Sequence, residues 1–241
     1  METVRPLKLI FKLLTLVIFA TWLWVLTIGA VQSPRLTIES QPESPLQLSL
    51  FQIAPSDLVG SSVITLMMTN VSASSIRAFA VATSEGKSKT GVLLINASND
   101  QQTLQANEKK SITLRKTDQE IVDGVTFSVD FVEFGDGSKW GPDTFDSASS
   151  LAGEREGTRQ AVVAVDDRIR AQGVTALSRD LEATTSAISM PSAHSANWNQ
   201  GFQRGVDTVR ARLQRALEKG GQDRLIAEWD RIAADAKSKK P

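Results

Sequence analysis

Nineteen consecutive residues without a charged side chain, from Leu13 to Val31, follow a short basic lead of Arg5, Lys8 and Lys12. No other feature constrains the chain as strongly, because a stretch this apolar must be removed from water, into lipid or into protein. As a helix it would extend roughly 28 Å at about 1.5 Å per residue, close to the hydrocarbon thickness of a bilayer. No neighbouring segment has a matching all-round apolarity, which argues against a globular core as its place. The basic lead holds the N-terminus cytoplasmic under the positive-inside bias and sends the remainder across the membrane.

Two outcomes share this pattern. An uncleaved signal-anchor suits the length of the run and the indoles of Trp22 and Trp24, which favour the interfacial zone. A cleaved signal peptide has a shorter apolar region, about 7–15 residues, and Ile28 before Gly29-Ala30 fits the small-residue cleavage rule poorly. Residues 1–33 are therefore expected to form one N-terminal transmembrane or signal helix. The membrane is the partner expected through Leu13 to Val31. The main domain is expected to be extracytoplasmic: single-pass and anchored, or secreted or periplasmic if the segment is cut.

The 241-residue chain has no cysteine, which excludes disulfides, thiol catalysis and cysteine-ligated metals. Its zero net charge hides an asymmetry. Residues 34–150 carry 9 basic and 14 acidic side chains, whereas residues 201–241 carry 10 and 6. The basic excess is too small and too dispersed in sequence to argue for nucleic acid.

From residue 35 to 145, short apolar runs alternate with polar residues between turn signals. Leu46, Leu48 and Leu50 share one period-two face, and the run 63–68 ends at Thr69-Asn70. Ile76, Ala78 and Ala80 alternate with Arg77, Phe79 and Val81. Val125, Phe127, Val129 and Phe131 are expected on one face, opposite Thr126, Ser128 and Asp130. Six or seven such runs, about 10–15 residues apart, predict an antiparallel sandwich. Asp136-Gly137 marks a hairpin turn, with Phe134 and Trp140 able to meet across it.

The strand ending in Thr69-Asn70-Val71-Ser72, followed by Ile76-Arg77-Ala78-Phe79-Ala80-Val81, resembles the immunoglobulin-like and fibronectin-like sandwiches of bacterial surface proteins. The resemblance covers about half the chain and implies a mainly β, immunoglobulin-like/fibronectin-like sandwich over residues 34–147, with no activity attached.

Residues 148–241 read as an α-helical extension with a loop near 183–199. A helix fits from about Gly153 to Gln172, broken near Gly173; Phe202, Val206, Val209 and Leu213 then form a stripe that Gly220-Gly221 stops, and Leu225, Trp229 and Ile232 mark a last helix. The stripe packs within the protein or receives a protein partner.

No residue is assigned a catalytic, cofactor or metal role. Asp130, Glu133, Asp136, Asp143 and Asp146 offer carboxylates for a hard cation, but their spacing matches no EF-hand loop. Gly86-Lys87-Ser88 imitates the end of a phosphate loop whose first glycine is Val81 instead. Ser84 to Lys87 and Lys89-Thr90-Gly91 imitate β-lactamase strings compressed into one turn. His194 is the only histidine, with Ser192 and Ser195 beside it. Asn70 and Asn96 satisfy the N-glycosylation pattern. The expected function is a non-enzymatic binding or structural module of the cell envelope. The alternatives are an exported hydrolase built from scattered Ser, Asp and His194, or a subunit of an envelope complex.

Overall fold

The structure, a computed structural model, describes residues 35–85, 88–96, 104–191 and 194–238. Among the described residues, no helix is long and apolar enough to cross a membrane. The expected N-terminal transmembrane or signal helix falls outside them.

The β-rich part holds two sheets. The larger contains β1 (Leu36–Ile38), β7 (Val125–Phe134), β4 (Ile76–Glu85) and β5 (Ser88–Asn96) in that order, with β8 (Lys139–Trp140) also pairing with β7. The smaller orders β2 (Leu46–Pro55), β3 (Ser61–Asn70) and β6 (Lys109–Thr117), all antiparallel. Side chains from both sheets share one core, with Ile64, Leu66 and Met68 from one and Phe79, Val81 and Phe127 from the other. Burying each such side chain contributes about 1.5–3 kcal/mol.

The expectation of a mainly β, antiparallel immunoglobulin-like/fibronectin-like sandwich is corrected by two long helices of 40 and 43 residues, which together outnumber the strand residues, and by β1. It pairs with β7 in parallel, Leu36 opposite Val125, so the larger sheet is mixed. Strands β2 to β6 lie between the two in sequence and supply the long crossover that parallel pairing needs. A three-residue strand is too short to show alternation, and alternation does not encode strand direction.

Two bulges revise the expected faces. The β4–β7 register shifts between Ile76 and Ala78, at Arg77, and again between Ala80 and Val81, opposite Asp130. Beyond Asp130 the facing of β7 reverses. Val125, Phe127 and Val129 point into the shared core, but Phe131 joins Ala78, Ala80 and Leu151 in a second cluster on the other side of the sheet.

Helix α1 (Asp118–Asp123) is one short segment with a capping box, in which Thr117 Oγ1 accepts from Glu120 N–H and Glu120 accepts from Thr117 N–H. The Lys116 ammonium bonded to Glu120 at 2.8 Å, aided by the Thr117 donors, holds that carboxyl at about 2, below its ordinary 4.5.

Helices α2 (Ser147–Ser186) and α3 (Ala196–Ser238) are each interrupted by glycine, at Gly173 (φ 78°) and at Gly220-Gly221 (φ 64° at Gly221), and α2 is distorted again at Asp180 (φ −118°, ψ 22°). Positive φ ends a helical run, and each helix folds back on itself. The Arg168–Asp180 ion pair at 2.5 Å and the Arg212–Glu228 pair at 2.7 Å join residues that a straight helix would hold about 18–24 Å apart. Four segments result: 147–172, 174–186, 196–219 and 222–238. Their shared core contains Ala161, Val165, Leu177, Val209, Leu213, Leu225 and Trp229. A constant offset of 48 relates the two hairpins, matching Gly153 to Gly201, Gly157 to Gly205, Val165 to Leu213, Gly173 to Gly221 and Leu177 to Leu225.

Segments 147–172 and 196–219 run parallel and touch backbone to backbone. A Cβ added at Gly201 would collide with the Ser150 carbonyl, and one at Gly205 with that of Glu154; Gly153 and Gly157 face Trp198 and Phe202 in the same way. Gly201→Ala is expected to destabilise the purified protein by about 3 kcal/mol, as overpacking of a closed contact does. Exposed Gln203→Ala should stay within about 0.5 kcal/mol in the same urea unfolding series. Because the folded-state pKa of Glu120 is depressed, its contribution is present above about pH 4.5 and is lost as pH falls toward 2. Glu120→Gln should therefore flatten the fall in melting temperature across that window while leaving the neutral limb parallel.

Candidate functional site

Two helical stripes build the most distinctive polar surface. On segment 196–219, Thr208, Arg212, Arg215 and Lys219 recur at spacings of four, three and four, which places them along one side of the helix. On segment 222–238, Arg224, Ala227, Glu228 and Arg231 do the same. The turn at Gly220-Gly221 lays the second stripe beside the first, and Arg224 runs its stem over Gly220, where any side chain would meet it. These residues line a groove of about 610 Å³.

Within it one carboxylate organises two cations. Glu228 accepts from Arg212 Nε at 2.8 Å through Oε1 and from Arg231 Nη1 at 2.8 Å through Oε2. Its side chain is 17% exposed, so this pair of bonds is partly shielded from solvent. Among the described residues no carboxylate pairs with Arg215, Lys219 or Arg224. The groove thus carries five cations against one anion, two of them paired to Glu228 and three without a carboxylate partner among the described residues.

The acidic residues singled out in the sequence do not converge. Asp130 is buried and accepts the Thr144 and Phe145 N–H groups at 3.2 Å each, fixing the loop that enters α2. Asp143 accepts from Ser147 and Ala148 N–H at the start of α2, and Asp136 accepts from Ser138 within its turn. Glu133, also buried, binds Arg77 and receives Arg155 Nη1 at 3.1 Å, joining the larger sheet to α2. Among the described residues no three His, Asp or Glu side chains form a group able to hold a metal.

His194 is exposed and stacks on Trp198 with ring centroids 3.8 Å apart; Trp198 stacks in turn on Phe202 at 5.4 Å. Ser195 caps α3, its Oγ accepting from Trp198 N–H at 3.2 Å and donating to Asp146 Oδ2 at 3.2 Å. A triad needs the aspartate on the histidine, and here it is on the serine. Ser192 lies outside the described residues, as do Gly86 and Lys87. Ser88, Lys89, Thr90 and Gly91 belong to strand β5, where a phosphate loop would open a helix. Asn70 is fully buried; its Nδ2 donates to the Ser74 and Leu104 carbonyls, and Oδ1 accepts from Ser72, so the amide is committed inside the fold. Asn96 donates to Glu154 at 3.1 Å, a second tie between sheet and helix.

No known protein family matches the chain, and no curated protein matches it.

The joint at Glu133 makes a measurable claim. Glu133→Gln leaves two guanidinium groups facing a neutral amide and should cost about 2 kcal/mol, less than a fully buried pair because both arginines are one-third exposed. A double-mutant cycle with Arg155→Met should show coupling in thermal unfolding; simple additivity would remove the joint from the account of stability.

Proposed function

We propose that the chain is an exported, non-enzymatic binding module of the cell envelope, tethered to the membrane through Leu13 to Val31, that presents its basic groove to an acidic segment of a partner protein. The groove carries this reading: Arg215, Lys219 and Arg224 have no carboxylate partner among the described residues and line the same groove as the Arg212–Glu228–Arg231 cluster. Cations without a carboxylate partner keep much of their hydration until an anion replaces it, which favours fast, salt-sensitive association.

The placement of the groove supports the same reading. Helix α2 starts beside Phe131 and passes Asn96 and Glu133, at the strand ends remote from Arg35. It continues to residue 172, about 25 Å beyond Arg155. The Gly220-Gly221 turn lies at that remote end, where Gln222 bonds Thr175 and Ser178. A module tethered at its N-terminus would hold the groove away from the membrane.

Intact mass and carbonate extraction of the full-length protein test the tether: residues 1–30 should be retained and the protein should stay in the membrane pellet. Loss of those residues with a soluble product would refute the tether. For the groove, the triple charge reversal Arg215→Glu, Lys219→Glu and Arg224→Glu should weaken binding of a poly-glutamate probe by about tenfold or more at low salt. Unchanged binding would refute the groove.

A further inference from the structure

The hairpin between β2 and β3 ends in two aliphatic residues, Leu58 and Val59, that belong to none of the buried clusters. Leu58 is 53% exposed and Val59 is fully exposed. The loop beneath them is held by its own polar groups: Ser56 N–H donates to the Ser61 carbonyl at 3.0 Å, Leu58 N–H donates to Ser56 Oγ, and Ser61 Oγ donates to the Leu58 carbonyl. The serines satisfy the backbone, so neither aliphatic side chain is needed to shape the turn. A single exposed apolar residue is ordinary, but an adjacent pair at the apex of a self-supporting turn calls for a partner.

The position of the tip identifies that partner. Asp118 N–H donates to the Gly60 carbonyl at 2.9 Å, and Ser62 Oγ donates to Asp118 at 2.8 Å, so the loop lies against α1. Arg35 lies against α1 too, donating its N–H to the Ile121 carbonyl at 3.0 Å and accepting from Val125 N–H at 2.9 Å. Arg35 and the Leu58-Val59 tip therefore share one end of the molecule. Only Gln32, Ser33 and Pro34 separate Arg35 from Val31, where the apolar stretch that begins at Leu13 closes. That interval spans at most about 14 Å of extended chain. A bilayer holding the run must pass close to this end of the domain.

Four of the charged groups near the tip are paired with one another, while exposed Asp118 accepts from the neutral Ser62 hydroxyl. Arg115 bonds Asp57 at 2.9 Å and Lys116 bonds Glu120 at 2.8 Å, which lowers the cost of bringing this rim to a headgroup layer.

We infer that Leu58 and Val59 form a second membrane contact, dipping into the headgroup–acyl boundary of the leaflet from which the 13–31 run emerges. The inference rests on the tether proposed above. Two points of attachment, one covalent and one by insertion, fix the tilt of the domain and direct the basic groove outward. The contact is interfacial, of the depth that amphipathic surface elements reach.

The absence of native cysteine makes the test direct. Full-length Val59→Cys, carrying a nitroxide, is reconstituted into phospholipid vesicles, with Ala73→Cys as the control. Ala73 is exposed in the β3–β4 turn, at the opposite end of a ten-residue strand. The spin label at 59 should collide with oxygen and be protected from a water-soluble nickel chelate, while the label at 73 remains open to the chelate. Carbonate-resistant protein with a chelate-accessible label at 59 overturns the insertion and leaves the tether standing. Protection from both oxygen and chelate places protein, a second copy or another partner, over the tip and overturns it as well. Protein that does not remain with the vesicles overturns tether and insertion together.

Discussion

The close parallel approach of segments 147–172 and 196–219 at Gly153, Gly157, Gly201 and Gly205 is the constraint on which the helical half depends. With no Cβ on either side, the two backbones meet directly, and the neighbouring positions Ala161, Val165, Val209 and Leu213 fall into one core. The return segments pack onto that core, with Leu177 and Leu181 on one hairpin and Leu225 and Trp229 on the other. A larger residue at any of the four glycines would separate the helices that carry the rest. The groove inherits this rigidity, because Arg212 and Arg215 stand on a segment fixed by glycine contact at its start.

The sheet and the helices are joined by irregularities of strand pairing. Bulges at Arg77 and Asp130 turn Phe131 and Glu133 toward α2 while leaving Phe127, Val129 and Val132 in the shared core. Phe131 then meets Leu151, Glu133 holds Arg155, and Asp130 anchors the loop that opens the helix. A regular strand would have kept Phe131 on the side of Phe127 and left the helices without an apolar seat. The bulges therefore act as the connection between two cores, each of which is built from its own residues.

These contacts give the molecule two unlike ends. Arg35 and the Leu58-Val59 tip lie together beside α1, and the cationic groove lies at the far turn of the helices. The overall charge of zero thus conceals a useful separation, with an aliphatic apex at one end and, at the other, three cations without a carboxylate partner among the described residues. In the proposed reading one end meets lipid and the other meets protein. The distance between them is set by the strands and by the uninterrupted first segment of α2.

Several elements were legible in the sequence alone. Strand alternation, the Asp136-Gly137 turn and the helix-stopping glycines at 173 and 220–221 are local signals, written within a few residues of where they act. The cationic stripe of Arg212, Arg215 and Lys219 was present at helical spacing, and the glycine pairs 153/157 and 201/205 were visible as small residues four apart, although neither announced what it would face. Tertiary structure alone decided the rest. It made β1 parallel to β7, because direction depends on the path of five intervening strands. It reversed the facing of Phe131, because a bulge is a property of the register between two strands. It assigned the five acidic residues to separate structural tasks, and it set Arg224 beside Arg215 across a turn. Periodicity reports what a residue does within its own element, and every one of these outcomes is a relation between elements.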